Sequence, residues 1–212
     1  LTALDDLSDA AFDALEPLRW GGAHPLADGY PTPTGKPRLI ALTPPAPRVP
    51  DAVFPFRLNT GRYRDQWHTM TRTGFSAKLA HHRREPLVEI NPADAAAAGI
   101  AEGDLCKVTT PAGTSLYRAT LSAGQGRGGI FVPMHWTDLT AAAETGRIAS
   151  ADTDPVSGQP GFKDTPARIA RADLAWRGFL VARAPLATPD CDYWVRSRVE
   201  HGWLYEIGGM GE

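Results

Sequence analysis

Cysteine is scarce in this sequence, with Cys106 and Cys191 the only two in 212 residues. No Cys-x-x-Cys pair is present, which excludes a zinc knuckle, an iron–sulfur cluster or a dithiol couple built from these residues. Such sparing use suits a reducing, cytoplasmic setting and argues against a disulfide between the two. No apolar run approaches the roughly 20 residues a membrane helix needs. The start, Leu1-Thr2-Ala3-Leu4-Asp5-Asp6, has no initiating Met, basic n-region or apolar h-region. It therefore does not read as a signal peptide, and a chain cut from something longer is expected. Excess charge is also missing: the net of -2 argues against a surface built to hold nucleic acid. Walker, Rossmann, Gly-x-Ser-x-Gly and His-Glu-x-x-His patterns are absent, so no nucleophile, hydride site or zinc protease site is legible.

What the sequence does contain changes along its length. Ser8 is placed to cap a short helix running to Leu15. Residues 21–55 are rich in Pro and Gly, interrupted by Leu39-Ile40-Ala41-Leu42, and read as a linker carrying one strand. From Phe54 the pattern becomes short strands with tight connections. Strands are expected over Phe54 to Asn59, Leu87 to Ile90, Leu105 to Thr109, Ser115 to Leu121 and Gly129 to Pro133. Asn91-Pro92 opens a small helix through Ala98 that ends at Gly99, and Pro111-Ala112-Gly113 makes a hairpin turn. A helix around Leu139 to Glu144, a loop over Asp152 to Asp164 and a last strand over Ala167 to Ala170 follow. The fold class is mainly β with short helices, a barrel whose closure removes exposed edges. Three regions result: residues 1–53 as linker, 54–175 as barrel, and 176–212 as an aromatic-rich tail that packs back on it or on another domain.

Positive charge is concentrated in one place. Between Arg57 and Arg84 there are seven basic side chains (Arg57, Arg62, Arg64, Arg72, Lys78, Arg83, Arg84) against one acid, Asp65. A solvated basic loop would explain a charge run by itself. Within it, however, a strand ends at Gly61, which permits close backbone approach to a ligand. Thr60, Thr69, Thr71 and Thr73 offer hydroxyls, and Arg62, Arg64 and Arg72 offer forked donors suited to phosphate oxygens. A second segment, Gly129 to Trp136, ends a strand in His135 and Trp136, where His135 alone reads as a structural histidine bonded to backbone. The third, Asp154 to Pro166, is a loop in which Gln159 can read a heterocycle edge and Lys163 can supply a cation. Adjacent His81 and His82 lack the spacing of a helical metal site.

Taken in order, "LNTGRYRDQWHTMTRTG", "VEINPADAAAAGIAEGD", "GGIFVPMHW" and "DPVSGQPGFKDTPARI" resemble the molybdopterin-dinucleotide-binding domain that ends the large subunit of bacterial molybdenum enzymes. Among these they look most like assimilatory nitrate reductases. "AFDALEPLRW" is similar to that family's linker. The resemblance implies a double-psi β-barrel that clamps molybdopterin guanine dinucleotide, in the bis form around one molybdenum, for reduction of nitrate to nitrite. It also implies an iron–sulfur cluster in a region outside this chain, with upstream domains of the same polypeptide and an electron donor as partners, and neither nucleic acid nor membrane. Carried over by motif, Thr60, Gly61, Arg62, Asp65, His68, Thr69 and Thr71 would contact the dinucleotide. His135, Trp136, Gln159 and Lys163 would reach its pterin or guanine parts. A formate dehydrogenase-like relative and a non-catalytic double-psi barrel that binds a peptide, protein or nucleotide are the alternatives.

Overall fold

The computed structural model describes residues 4–19, 24–41, 43–44, 46, 48–187 and 189–211. It divides into two units, 1–46 and 47–212. In the first, α1 spans Asp9–Asp13, and the Ser8 hydroxyl accepts from the Ala11 amide at 3.3 Å, as its capping position predicts. The strand expected at Leu39 to Leu42 does not form over residues 39–41, where Leu39 and Ile40 are exposed; Leu42 lies outside the described residues. A short apolar run without a partner strand leaves its backbone groups to water.

The second unit is built on a closed barrel of six strands. They are β1 (Phe56–Gly61), β2 (Leu87–Ile90), β3 (Leu105–Thr110), β4 (Gly113–Leu121), β5 (Gly129–Pro133) and β6 (Thr165–Ala172), ordered β1-β5-β2-β4-β3-β6 around the barrel. The pairs β1/β5 and β2/β4 are parallel and the others antiparallel. This is the closed, mainly β architecture expected of the double-psi class. Alternation drives it: in β4, Tyr117 and Ala119 are buried while Arg118 and Thr120 are only partly so. Leu58, Val88, Ile90, Val108, Ile130 and Val132 fill the centre, each worth about 1.5–3 kcal/mol when fully buried. Cys106 sits among them as a free thiol, and burial pushes its pKa up to about 12, so it packs and does not react.

Two short helices follow from local chemistry. In α3 (Pro92–Ala97) Asn91 caps the Ala93 amide at 2.9 Å, and Gly99 beyond the end takes φ +66°, a conformation any Cβ would strain. An unforeseen helix, α2 (Ala77–Ala80), is capped by Ser76. The helix expected at Leu139 to Glu144 lies instead at α4 (Thr145–Ile148). The cause is tertiary: Ala141 bridges Val195 and the Ala142 amide donates to Trp194 O at 2.9 Å, which holds that stretch extended.

Strand β6 is not the last. Three more form an antiparallel sheet ordered β7-β9-β8: β7 (Trp176–Ala182), β8 (Tyr193–Val199) and β9 (Gly202–Gly209). A polar clamp joins this sheet to the barrel. From β4, Arg118 donates Nε to both Glu85 oxygens at 2.9 Å and also pairs with Glu206 of β9. Tyr193 OH bonds Glu85, and Arg177 Nε reaches Glu206 at 2.7 Å. Each half-buried charge thus meets an opposite one, the condition under which burying it is tolerable.

Candidate functional site

The first predicted segment leaves the barrel where β1 ends. Gly61 is required by what faces it: a Cβ there would come 2.7 Å from Phe131 Cε2 on the neighbouring strand β5. Beyond it, residues 62–74 turn back over the barrel mouth, fastened from beneath. The Tyr63 ring is buried and its hydroxyl accepts from the Leu87 amide at 3.2 Å. Gln66 is buried and accepts from Thr73 Oγ1 at 2.7 Å, and Met70 is buried in the same apolar cluster as Tyr63 and Trp136. His68 and Met70 take positive φ values of 44° and 57°, unusual for residues with side chains and costing about 1–3 kcal/mol each. Strain held by buried anchors marks a loop whose shape is fixed by its surroundings.

Two of the expected site residues lie buried beneath this loop. His135 is fully buried, with both ring nitrogens committed: Nε2 accepts the Tyr63 amide at 2.9 Å and Nδ1 donates to His68 O. Burial depresses its pKa, which keeps the ring neutral and this pair of bonds intact. Trp136 is also buried, edge-on to Tyr63 at 5.4 Å. Both hold the 62–74 loop from below, and the burial responsible depends on contacts about 70 residues apart in sequence, which no local signal reveals.

With the anchors pointing inward, the remaining side chains point out. Arg62, Arg64, Trp67, His68, Thr69, Thr71 and Arg72 are exposed. Arg62 lies over the Trp67 ring, 5.2 Å from its centroid. Asp65 is already occupied: Arg64 Nε bonds it at 3.1 Å and His82 Nδ1 contacts its other oxygen. Those partners, Arg64 foremost, hold its carboxyl below the usual range. It thus already holds two basic partners. Arg57 is paired with Asp164 at 3.5 Å. Among the described residues, Arg62, Arg72, Lys78, Arg83 and Arg84 have no acid within ion-pair distance, so the cationic excess seen in sequence survives folding.

The third segment is brought to the same place. Lys163 Nζ donates to Thr60 O, and Thr60 Oγ1 donates to Phe162 O at 3.3 Å. Thr60 itself is buried, so its side chain serves this junction. Gln159 stands farther out, exposed on a loop shaped by Asp154, whose Oδ1 accepts from the Val156 and Ser157 amides at 3.0 and 2.7 Å. The result is a rim with exposed hydroxyls and guanidinium groups on one side and the Lys163 ammonium beside the end of β1. Such an array suits phosphoryl oxygens, which accept several donors at once.

Residues 56–166 match the family described as Molydopterin dinucleotide binding domain. The chain is 42% identical over 209 residues to a nitrate reductase of Klebsiella oxytoca, covering 95% of this chain and 24% of that protein. It is 30% identical over 242 residues to a nitrate reductase of Shewanella frigidimarina, covering 98% and 26%. An F420-dependent formate dehydrogenase subunit alpha of Methanocaldococcus jannaschii is 37% identical over 90 residues, 42% of this chain and 13% of that protein. The chain thus spans about a quarter of the length of the nitrate reductases it matches.

Proposed function

This chain belongs to the Molydopterin dinucleotide binding domain family, and we propose that its cationic rim is one jaw of the site that grips molybdopterin guanine dinucleotide in a molybdenum nitrate reductase. The observation that carries this reading is the set of unneutralised outward groups, Arg62 and Arg72, on the same loop as Thr69 and Thr71 and adjoining the Lys163 junction at Thr60. Exposed guanidinium groups that no carboxylate neutralises, as Arg62 and Arg72 are, suit a pyrophosphate.

In this reading Gly61, Arg62, His68, Thr69 and Thr71 offer the close backbone approach and the donors. Lys163 and Gln159 close from the other side, while Thr60, Asp65, His135 and Trp136 hold those groups in place. When bound, that group would supply the molybdenum chemistry for the two-electron reduction of nitrate to nitrite, and the residues named here would hold it by its phosphates and rings. An iron–sulfur cluster would belong to upstream domains of the same cytoplasmic polypeptide and an electron donor would feed it, so this chain binds and does not turn over alone. Its task is positional: to hold a polyanion rigidly enough that the metal sits reproducibly.

Calorimetric titration with the extracted dinucleotide cofactor tests this. Binding should weaken about tenfold, roughly 1.4 kcal/mol, in Arg62→Ala and fall steeply with added salt. No binding by the folded chain or its parent enzyme would refute the reading. The resemblance to a formate dehydrogenase motivates the second reading, in which the same rim serves a formate enzyme. Assays of the parent enzyme with nitrate and with formate separate the two.

A further inference from the structure

The loop that carries Gln159 and Lys163 is closed at its base by a residue of the segment that leads into the barrel. Arg48 precedes β1, in the stretch read from the sequence as linker and outside the 56–166 span that matches the family. Three of its groups are engaged at this junction. Its guanidinium pairs with Asp152 on the first stem of the loop. Its backbone amide donates to Asp164 Oδ2 on the second stem at 3.0 Å. Its carbonyl accepts from Arg57 Nη2 at 2.7 Å, and Arg57 Nε reaches the other Asp164 oxygen at 3.5 Å. Pro50, Phe56 and Pro166 line the small cleft at the same place.

The Asp152 side chain is 66% exposed and that of Arg48 38%, so water and salt screen the pair and it adds little to global stability. Its consequence is local. Asp164 follows Phe162 and Lys163 in the chain, and both of those meet Thr60. On the other stem the Gly161 amide donates to Asp152 O at 2.8 Å. A strap across both stems thus fixes the base from which Gln159 and Lys163 project, and a loop closed before binding has less entropy to lose when a ligand orders it. We propose that Arg48 is a positioning residue for the dinucleotide, acting through Asp152 and Asp164 to set where Gln159 and Lys163 stand. This rests on the reading of the rim as a dinucleotide site. It adds to that reading a residue that the ligand does not touch.

Calorimetric titration of the full chain with extracted molybdopterin guanine dinucleotide tests this, alongside thermal melts and hydrogen exchange. Arg48→Ala should weaken binding about fivefold at an unchanged melting temperature, while Arg48→Lys, which keeps a cation able to reach Asp152, stays within about twofold of the wild type. Asp152→Ala separates position from charge. If Arg48 acted by its charge alone, removing a carboxylate near a bound polyanion would tighten binding; loss of the strap weakens it instead, by about fivefold. The two losses should not add in the double variant, since both break one link. Added cofactor should also slow exchange across 154–163 less in each alanine variant than in the wild type. Wild-type affinity in Arg48→Ala, or tighter binding in Asp152→Ala, overturns the proposal and leaves the rim reading standing. A fall in melting temperature shared by both alanine variants makes the strap structural and overturns it too. No binding by the wild-type chain or its parent enzyme overturns the rim reading and this proposal together.

Discussion

The two loops at the barrel mouth are held by different means. Residues 62–74 are fastened from below by buried groups, Tyr63, Gln66, Met70 and His135, and keep two left-handed residues in place by doing so. Residues 152–164 are held chiefly by their own turns: Asp154 gathers the Val156 and Ser157 amides, Thr153 bridges Pro160, and Lys163 and Phe162 tie the end to Thr60. The second loop is tied at its ends, by Arg48 to Asp152 and by Arg57 to Asp164, while its exposed tip around 154–159 rests on its own turn. If the proposed function holds, a loop anchored from below would have little ordering entropy left to lose on binding.

The sharpest way to break the contrast is His135→Ala, which orphans the Tyr63 amide and His68 carbonyl and leaves a void. A loss of about 3 kcal/mol in urea unfolding is expected, with the 62–74 loop loosened and the 152–164 loop unchanged. Next comes Gly61→Ala, whose methyl meets Phe131; it should cost about 1–3 kcal/mol, and Phe131→Leu should recover part of that in a double-mutant cycle.

Acid sharpens the comparison in a third way. Burial holds the folded His135 pKa below that of the unfolded chain, about 6.5. Above that pH neither state binds the proton; below it the unfolded chain takes up a proton the folded chain refuses. His135 therefore stabilises fully above the unfolded pKa, and this contribution is lost as pH falls through it toward the folded value. Melting temperature should drop between pH 7 and 5 by more in the wild type than in His135→Ala. The smallest effect is expected from Asp154→Ala, at the tip of the second loop: an unchanged melting temperature but faster limited proteolysis within 154–161. The Asp154 carboxyl is held low by the Ser157 amide, so the wild-type loop should loosen likewise only as pH falls through that depressed value.

Much of this was legible in the sequence, for reasons that differ by element. The strands at Leu87–Ile90 and Gly129–Pro133 carry bounded apolar runs, and Asn91-Pro92 carries its own capping chemistry, so local rules suffice. The helix expected at Leu139 to Glu144 fails because pairing with β8 overrides a modest local preference. Aromatic density shows that the tail folds, but not that Trp176–Gly209 makes a sheet of three strands, since long-range pairing sets that. At the site, the cations of 62–72 are plain in the sequence. That His135 and Trp136 lie beneath the rim, and that Lys163 meets Thr60, depends on folding that joins residues far apart in the chain.

Hydrogen exchange with and without the extracted dinucleotide cofactor tests the central claim most directly. The account predicts that amides anchored beneath the first loop, Tyr63 and Gln66 among them, are slow in the free protein and change little. Amides of 154–163 exchange fast until the cofactor is added and then slow markedly. Equal exchange of both loops in the free protein, or no response of 154–163 to the cofactor, would contradict it.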